Sequence, residues 1–439
     1  MKSSNLFLNL INALRNKKSK IGIIGMGYVG LPLAIAYAEK GFKVLGIDID
    51  KSKVEKINTA NSYINHIPSD KLKNLVNLKF LKATNNFNEV LNLDAIILCL
   101  PTPLNKYREP DLSYIRSTLN SIKPFLKKGQ VLSLESTTYP GTTKEELYPF
   151  IKNAGFDIGE NFFLVYSPER EDPGNSNFHT GNIPKVLGGT TPNCSKIGVA
   201  LYEQVISEVV EVKDTSTAEM TKLLENIHRA VNIGLMNELK PLAEKMGVDL
   251  YEVIRAASTK PFGFVPYYPG PGLGGHCIPI DPFYLTWKAR EFGMHTRFIE
   301  LAGEINSSMP SYVINQTSNA LNNLGKPLKN SNILILGISY KKNIDDLRES
   351  PSLEIIDLLI KKDAIVNYCD PFFESLPTTR RFKFDLKGVK LTKENLNKAD
   401  AVILTADHDI FDYELIKRFS KLIIDTRGRF IPSHNIIRG

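Results

Sequence analysis

The sequence predicts an α/β protein in which two parallel-sheet domains are joined by a long central helix. Short β-rich apolar runs alternate with helix-length segments from Lys20 to about Val212, and the alternation returns in the last quarter of the chain. Between these regions, residues 215–247 form one amphipathic segment of helical period. Strands that alternate with helices are typical of parallel sheets covered by helices.

The elements follow in order along the chain. The predicted strands of the first region are IGIIG, KVLGID, AIILCL, VLSLES, FFLVYSP and KVLGG. In the long helix only Pro241 is expected to favour a kink. Residues 249–320 are expected to be mostly helical around a Gly/Pro-rich loop at 261–282, and NNLGKPLKNSN is a predicted linker. The runs NILILGISY, AIVNYCDP, AVILTA and LIIDTR then predict a second, smaller α/β domain.

Length and composition narrow the classes of protein. A chain of 439 residues, 42% hydrophobic, is long enough for two or three domains that each bury a core. Its apolar runs are shorter than the roughly 20 residues of a membrane span. Basic residues follow the N-terminal apolar segment, where a signal peptide would have a small-residue cleavage site. We expect a soluble, cytoplasmic protein whose N-terminus is an amphipathic arm packed on the body.

The formal charge of +8 is compatible with acidic partners, such as a nucleic acid or a phosphorylated metabolite. The basic residues are dispersed, and no basic stripe with interleaved aromatic residues favours nucleic acid. Cys99, Cys194, Cys277 and Cys369 have no pair spacing. That pattern fits a reducing compartment and predicts neither disulfides nor a metal site.

A dinucleotide site is predicted at the first strand–helix junction. Gly25, Gly27 and Gly30 form G-x-G-x-x-G between an apolar strand and a helical pattern. In a Rossmann fold these glycines permit a tight turn, close approach of a pyrophosphate and close helix–strand packing. Asp48 ends the next strand, where its carboxylate can accept both ribose hydroxyls and repel a 2′-phosphate, so we expect NAD rather than NADP. The alternative is a glycine turn that binds nothing, with Asp48 as a helix cap.

A second candidate site surrounds Cys277 in the loop GPGLGGHCIPIDP, residues 270–282. Glycines let the backbone approach another group closely, and Pro279 and Pro282 limit how the chain leaves the loop. The alternative is that Cys277 is an inert cysteine that only packs in the protein interior, as buried cysteines commonly do. Asp281 also has an alternative role as the N-cap of a helix that has proline at its first position and stops at Gly293.

Polar residues elsewhere can complete this site. Lys222 and Asn226 are four residues apart on the predicted long helix, so they share a face with Arg229 or Ala230; the alternative is an exposed polar stripe. Glu169 follows the strand FFLVYSP, at the sheet edge where α/β proteins bind ligands. A thiol near a dinucleotide would allow an alcohol to be oxidised through an aldehyde held on sulfur. Because a hemithioacetal can release a second hydride, one site could perform a four-electron oxidation.

With these residues assembled, the chain from about Lys20 to Gly428 resembles the UDP-glucose/GDP-mannose dehydrogenase family. The resemblance rests on GMGYVGLPLA, PTP…PDLSYI, ESTTYPGTT, YSPERE, AEMTKLLENIHRAVNIGLMNE, GPGLGGHCIPIDP, GISYKKNIDDLRESP and DTRG, in that order. It implies two successive NAD-dependent hydride removals from the C6 alcohol of a nucleotide sugar, giving a uronic acid.

The resemblance also implies a domain organisation and a dimer. An N-terminal NAD-binding Rossmann domain would span 1–212, and a second Rossmann-like domain, which binds the UDP-sugar, would span 325–439. A central helical domain at 213–324 would carry dimerisation and active-site residues. The implied partners are the UDP-sugar substrate and a second copy of the chain through the long helix, with no nucleic acid and no membrane.

The family's motifs assign roles to the catalytic candidates. Cys277 would be the nucleophile, and Lys222 and Asn226 would stabilise the developing oxyanion. Asp281 and Thr137 would help to position the proton-carrying water.

The motif SPE adds a further role and one departure. Glu169 would activate the water that hydrolyses the thioester. In UDP-glucose dehydrogenases a second acid follows this glutamate by four residues, but position 173 is proline here. The string from Thr259 to Glu291 is most similar to dehydrogenases of N-acetylated sugars in surface-polysaccharide pathways, which favours UDP-N-acetylglucosamine. UDP-N-acetylmannosamine, UDP-N-acetylgalactosamine and UDP-glucose remain alternatives.

Two sets of binding residues are predicted. The residues expected at NAD are Gly25, Met26, Gly27, Tyr28, Val29, Gly30, Asp48, Lys53, Thr102 and Thr137. Those expected at the nucleotide sugar are Glu169, Arg170, Lys222, Asn226, Lys260, Phe262, Gly274, Gly275, Lys341 and Arg348. Lys341, Asp346 and Arg348 fall on the family's FK…D.R pattern, with Tyr340 in place of phenylalanine. The two cations suit a diphosphate, although Arg348 could instead form a surface salt bridge.

Two other functions are alternatives to nucleotide-sugar oxidation. A two-electron hydroxy-acid dehydrogenase can share the Rossmann start and the long helix, but it needs neither the cysteine nor a third domain. A nucleotide-sugar sensor could keep the fold without catalysis, and the presence of the cysteine, lysine, asparagine and glutamate argues against it.

Overall fold

The computed structural model describes residues 3–64, 67–170, 181–275, 278–379 and 381–439. The chain forms two compact units. Unit 1 comprises residues 1–225 and 283–294, and unit 2 comprises residues 226–282 and 295–439. The division into three domains at 212 and 324 stays a prediction.

The described residues of the first half of the chain form eight helices and eight strands. In chain order they are α1 (Ser3–Arg15), β1 (Lys20–Ile24), α2 (Gly30–Glu39), β2 (Lys43–Ile47), α3 (Lys51–Asn58), α4 (Ser69–Asn77), β3 (Leu81–Thr84), β4 (Ala95–Leu98), α5 (Ser113–Ile122), β5 (Val131–Leu134), α6 (Tyr148–Asn153), β6 (Phe163–Tyr166), β7 (Lys185–Gly189), α7 (Pro192–Tyr202), β8 (Val209–Val212) and α8 (Thr215–Lys245). Short 3₁₀ turns lie at Phe87–Asn92 and Lys123–Phe125, and a π-helical turn at Thr143–Leu147 precedes α6.

The second half continues with α9 (Leu250–Ala257), α10 (Asp281–Arg290), α11 (Arg297–Asn323), β9 (Asn332–Leu336), α12 (Pro351–Lys361), β10 (Ile365–Cys369), α13 (Lys393–Lys398), β11 (Ala401–Leu404), α14 (Tyr413–Phe419), β12 (Ile423–Asp425) and β13 (Ile436–Arg438). The predicted fold class is confirmed: each unit contains a largely parallel sheet, and one 31-residue helix, α8, runs between them along the chain. Three strands were not predicted, namely β3, β8 and β13, and each of them lies at an edge of its sheet.

The sheet of unit 1 has the strand order β3-β2-β1-β4-β5-β6-β7-β8. Every neighbouring pair is parallel except β6 and β7, which run antiparallel with Tyr166 opposite Gly188. The sequence predicts a parallel sheet, and this pair is the exception to that direction. A parallel return needs a crossover, and the described parts of the connection, 167–170 and 181–184, contain no helix.

The core of unit 1 lies on both faces of this sheet. β4, β5 and β6 are buried at every position, which parallel strands covered by helices on both sides require. α1 packs on the body of unit 1, with Leu10 and Leu14 buried and the Phe7 ring 6.0 Å from that of Phe163. The predicted N-terminal arm is thereby confirmed.

The sheet of unit 2 is wholly parallel, in the order β10-β9-β11-β12-β13. Successive residues of β9 point to opposite faces, so that Ile333 and Ile335 join one core cluster and Leu334 and Leu336 the other. The predicted linker contributes to this core through buried Leu328.

A buried carboxylate fastens the start of α8 to the loop after β5. Glu219 is fully buried and accepts hydrogen bonds from Gly141 N–H at 2.6 Å and from the N–H and hydroxyl of Thr143 at 2.8 and 2.7 Å. Burial raises the pKa of Glu219 to about 7, although these three donors oppose the shift. The loop held in this way carries the candidate residue Thr137.

We predict a pH-dependent stability effect of Glu219→Gln. The folded state keeps its proton to about pH 7, whereas an ordinary glutamate ionises near 4.5. Stability is therefore lost as the pH rises between these values, by up to about 3 kcal/mol. Thermal unfolding midpoints should be measured for both proteins from pH 4.5 to 7.5. The midpoint of the variant should rise relative to that of the unsubstituted protein as the pH increases. Glu55→Gln, at an exposed position of α3, is the control. A difference that stays constant with pH would contradict the prediction.

Candidate active site

In unit 1 the glycine-rich turn directly follows β1. Gly25 has φ +96°, and a Cβ there would overlap the carbonyl of Cys99. A Cβ at Gly30 would overlap the Gly25 carbonyl. Among the described residues, apart from its own chain neighbours, none lies within 4 Å of where a Cβ of Gly27 would be. The outer two glycines therefore close the turn, and the middle one leaves room for a ligand.

Asp48 holds this turn in place. Its Oδ2 accepts the Met26 N–H at 2.8 Å, its Oδ1 accepts the Asp50 N–H at 2.9 Å, and Lys53 Nζ lies 3.5 Å away. The helix cap of α3 is Asp50, which accepts the Ser52 N–H. The alternative interpretation of Asp48 as a helix cap is therefore wrong.

The residues present fit a dinucleotide. The strand order reverses between β1 and β4, which opens a crevice at their carboxyl ends. The turn with Met26, Tyr28 and Val29 follows β1, and α2 begins without a side-chain cap, so its first N–H groups can face a phosphate. Thr102 follows β4 and is buried, and its carbonyl accepts the Tyr284 hydroxyl at 2.8 Å.

The same edge of the sheet carries acidic residues. Glu135 follows β5 and Glu169 follows β6, and the ammonium of Lys185 lies 2.8 Å from Glu135 Oε2 and 3.3 Å from Glu169 Oε2. Tyr202 donates its hydroxyl to Glu135 Oε1 at 2.6 Å and lies 2.7 Å from Ser133 Oγ. Burial raises the pKa of Glu135. Although burial disfavours its charge, the two carboxylates hold the pKa of Lys185 above its ordinary value.

Lys185 and Glu135 were not predicted as site residues. The available signal was that two otherwise apolar strands each have one charged residue at an end. Glu135 follows VLSL, and Lys185 precedes VLGG. Such residues are almost never fully buried unless they are paired.

Arg170 is held by two partners within unit 1. Its guanidinium forms an ion pair with Glu225 of α8 at 2.7 Å and donates to the Pro184 carbonyl at 2.7 Å. Its predicted contact with the nucleotide sugar stays a prediction.

Lys222 is buried on α8. It makes no hydrogen bond or ion pair with the residues that the structure describes. The alternative interpretation of an exposed polar stripe is therefore wrong for this lysine.

In unit 2, Asn226 and Asp281 form a pair. The Asn226 amide donates to Asp281 Oδ2 at 2.5 Å, and Asp281 is buried. α10 begins at Asp281 itself, one residue earlier than the predicted N-cap position would allow, and Gly293 beyond its end has φ +67°. The loop that follows Gly275 includes Cys277, which lies outside the described residues, as does Pro173.

The glycines before the cysteine contact a C-terminal motif. The space beside Gly274 and Gly275 is filled by Tyr340, and Gly275 donates its N–H to the Arg348 carbonyl at 2.9 Å. Arg348 pairs with Asp346 at 2.6 Å. A side chain in place of either glycine would collide with Tyr340.

Arg348 also lines a pocket of about 390 Å³ in unit 2, together with Ile280, Phe373, Arg381 and Phe382. Lys341 does not line this pocket, so the structure does not place the two predicted diphosphate ligands together there.

Lys260 and Phe262 lie exposed on the loop after α9, with the lysine ammonium 5.0 Å from the phenylalanine ring centroid. Their predicted contacts with the nucleotide sugar stay predictions.

Comparison with known proteins identifies the family. The chain matches the UDP-glucose/GDP-mannose dehydrogenase family in its NAD binding domain at residues 19–206, its central domain at 216–308 and its UDP binding domain at 334–432. An NDP-N-acetyl-D-galactosaminuronic acid dehydrogenase of Ralstonia solanacearum is 35% identical, over 93% of this chain and 95% of the relative. A UDP-N-acetyl-D-glucosamine 6-dehydrogenase of Pseudomonas aeruginosa is 32% identical, over 90% of this chain and 92% of the relative.

A solved structure agrees with these relatives. A UDP-D-ManNAc dehydrogenase from Pyrococcus horikoshii superimposes with a TM-score of 0.85 and 30% identity, covering 94% of this chain and 96% of that one. The chain belongs to the UDP-glucose/GDP-mannose dehydrogenase family. It is an NAD-dependent dehydrogenase that oxidises UDP-sugars for polysaccharide synthesis, which confirms the predicted enzyme class and cofactor.

Within the described ranges, no helix combines the length and the apolar composition that a membrane span needs. The predicted cytoplasmic location stays a prediction.

We predict that Asp48→Asn reduces the preference for NAD over NADP by at least about tenfold, because the carboxylate charge would face the additional phosphate at close range. The ratio of kcat/KM for the two cofactors measures this preference. Asparagine keeps an acceptor for the Met26 N–H, so the turn is retained. Asp50→Asn, at the cap of α3, is the matched control. An unchanged ratio, or better turnover of NADP by the unsubstituted enzyme, would refute the assignment.

Proposed function

We propose that this enzyme oxidises the C6 alcohol of a UDP-N-acetylhexosamine, with UDP-N-acetylglucosamine as the first choice, to the uronic acid in two NAD-dependent steps. The observation that carries the proposal is a shared sheet edge. The glycine turn after β1, Thr102 after β4, Thr137 after β5 and Glu169 after β6 all follow the carboxyl ends of parallel strands. A dinucleotide and a water-activating carboxylate can therefore serve one reaction at that edge.

One NAD molecule would accept the hydride in the first oxidation, and a second NAD molecule that replaces the NADH would accept the hydride in the second. Lys222 and Asn226 would stabilise negative charge on the C6 oxygen. The burial of Lys222 without a described anionic partner supports this role, because its ammonium has no competing acceptor there. The Asn226–Asp281 pair supports a role in orienting the water that carries the alcohol proton.

The second oxidation would proceed on sulfur. The thiolate of Cys277 adds to C6 of the aldehyde, forming a C–S bond and an oxyanion that gives up the second hydride to leave a thioester. Water then attacks C6 as Glu169 takes a proton from it. The C–S bond breaks, and the thiolate and the uronic acid are released.

The relatives support an N-acetylated substrate but differ in the sugar epimer that their names state. They are dehydrogenases of N-acetylgalactosamine, N-acetylglucosamine and N-acetylmannosamine derivatives. Pro173 in place of a second acid supports the N-acetyl class, because it removes a charge and a longer side chain beside the motif SPERE. UDP-N-acetylmannosamine, UDP-N-acetylgalactosamine and UDP-glucose are the alternatives.

A panel of nucleotide sugars tests the function and the substrate. NADH formation at 340 nm should be fastest with UDP-N-acetylglucosamine and at least about tenfold slower with UDP-glucose, which would leave a pocket for the acetamido group unfilled. Two NADH should form per uronic acid. Faster oxidation of UDP-glucose would refute the N-acetyl class, and faster oxidation of another epimer would refute only the epimer.

The variant Cys277→Ala tests the mechanism. It should abolish uronic acid formation while the binding of NAD and UDP-sugar persists, because alanine keeps the backbone and removes only the thiol. Undiminished acid production by this variant would mean that the thiol is packing and that the proposed mechanism is wrong.

We further propose that α8 forms a two-fold dimer interface. The apolar residues Met220, Leu224, Leu235, Leu242 and Met246 are exposed. At 100° per residue they fall within about 80° of one another around the helix, on the side opposite Lys222 and Asn226. The helix of 31 residues is roughly 46 Å long, which allows two copies to pair along a continuous apolar stripe.

The dimer proposal predicts that the double substitution Leu224→Glu/Leu242→Glu produces monomers, because the like charges would be buried at the interface. Light scattering at micromolar concentration measures the mass. Leu78→Glu, at an exposed leucine at the end of α4, should leave the mass of the dimer unchanged. A monomeric unsubstituted protein would refute the interface.

A further inference from the structure

The buried ammonium of Lys185 lies between two carboxylates in unit 1. It is 2.8 Å from Glu135 Oε2 and 3.3 Å from Glu169 Oε2, and it also donates to the Pro168 carbonyl at 3.3 Å. Its side chain is 4% exposed, against 15% for that of Glu169. Lys185 therefore contacts both the carboxylate of Glu169 and the backbone that carries it.

The position of this ammonium is fixed from the other side. Glu135 is buried, and its second oxygen accepts the Tyr202 hydroxyl at 2.6 Å, which in turn lies 2.7 Å from Ser133 Oγ. The ammonium also lies 5.2 Å from the centroid of the Tyr202 ring. These contacts from β5 and α7 leave the lysine little freedom, so it presents a charge at one defined point.

We infer that Lys185 is a positioning residue for Glu169, which it orients and keeps ionised for the hydrolysis of the thioester. The inference rests on the role proposed for Glu169. Lys185 binds Oε2 of Glu169, and Oε1 accepts the Arg170 N–H at 2.7 Å, so both oxygens have defined directions. During hydrolysis Glu169 takes one proton from water, the water oxygen bonds to C6 and the C–S bond breaks. A fixed ammonium beside Glu169 favours the ionised carboxylate that accepts this proton.

The charged and titratable groups around Glu169 come from several elements. Lys185 approaches from β7 and Glu135 from the end of β5, while the guanidinium of neighbouring Arg170 is paired with Glu225 of α8. Cys99 follows β4, and burial raises its pKa, so it stays a neutral thiol. Removing the ammonium would leave Glu169 beside the carboxylate of Glu135, and this like charge favours protonation of Glu169. The hydrolysis rate falls at low pH as Glu169 is protonated. This fall, the acidic limb of the pH profile, would therefore move to higher pH.

The test compares Lys185→Met with Glu169→Gln in the full-length enzyme mixed with NAD and the UDP-sugar that the panel selects. Both variants should accumulate a mass adduct of the acyl sugar, seen by intact-mass spectrometry, and both should release NADH in a burst followed by slow turnover. We expect hydrolysis in Lys185→Met to slow about tenfold near pH 7 and its acidic limb to rise by about one pH unit. Lys185→Arg should restore most of the rate, because it restores the charge.

Two variants separate positioning from a purely structural role. Lys185→Met/Glu135→Gln removes the ammonium without leaving Glu135 as an unpaired buried charge, so it should fold and still show the adduct. Its acidic limb should shift less than that of Lys185→Met, because the like charge of Glu135 is removed as well. Lys288→Met removes another buried ammonium of unit 1, paired with Glu145 at 2.7 Å, and should show neither. The NAD affinity of each variant reports whether unit 1 is folded.

The outcomes distinguish this inference from the proposed function. An adduct in Glu169→Gln, with none in the folded double variant, overturns the role of Lys185 and leaves the proposed function intact. No adduct in Glu169→Gln overturns the role of Glu169 and with it the inference. An equal adduct in Lys288→Met shows that loss of any buried ion pair slows hydrolysis, which also overturns the inference.

Discussion

A buried ammonium needs anionic partners, and this requirement constrains the middle of the sheet in unit 1. Removing one partner of a buried pair costs on the order of 3–5 kcal/mol, because an uncompensated charge remains. Lys185 meets Glu135 and Glu169 only while β5, β6 and β7 keep their register. The reversed direction of β7 relative to β6 is essential here, because it brings the first residue of β7 to the carboxyl ends of β5 and β6. A parallel β7 would place Lys185 at the opposite edge.

Residues with a predicted ligand role also hold the fold together. Asp48 accepts the N–H of Met26 within the glycine turn. The carboxylate that is expected to bind the ribose of NAD therefore also holds the turn that is expected to bind its pyrophosphate. Gly274 and Gly275 leave room for Tyr340 of the C-terminal motif, and Gly275 donates to the Arg348 carbonyl. In each case one hydrogen bond or close contact joins a binding motif to its support. Substitutions there are expected to affect stability and binding together.

α8 presents three different sets of side chains along one helix. Its first turns bury Glu219 beneath the loop after β5, and its next turn carries Lys222. The opposite side presents exposed leucines and methionines along most of its length. The helical period of 3.6 residues keeps these faces apart, so that the proposed catalytic face and the proposed dimer face can share one segment without interfering.

The amino-acid sequence by itself determined most of the elements, the glycine turn, the acid after β2 and the polar face of the long helix, because these depend on spacing along the chain. It also carried enough motifs to predict the enzyme family. Tertiary structure decided which distant groups meet: Glu219 with Thr143, Asn226 with Asp281, and Lys185 with Glu135 and Glu169. The direction of β7 and the partners of a buried charge arise from long-range pairing and from the cost of burying that charge unpaired, and no local period in the sequence records either one.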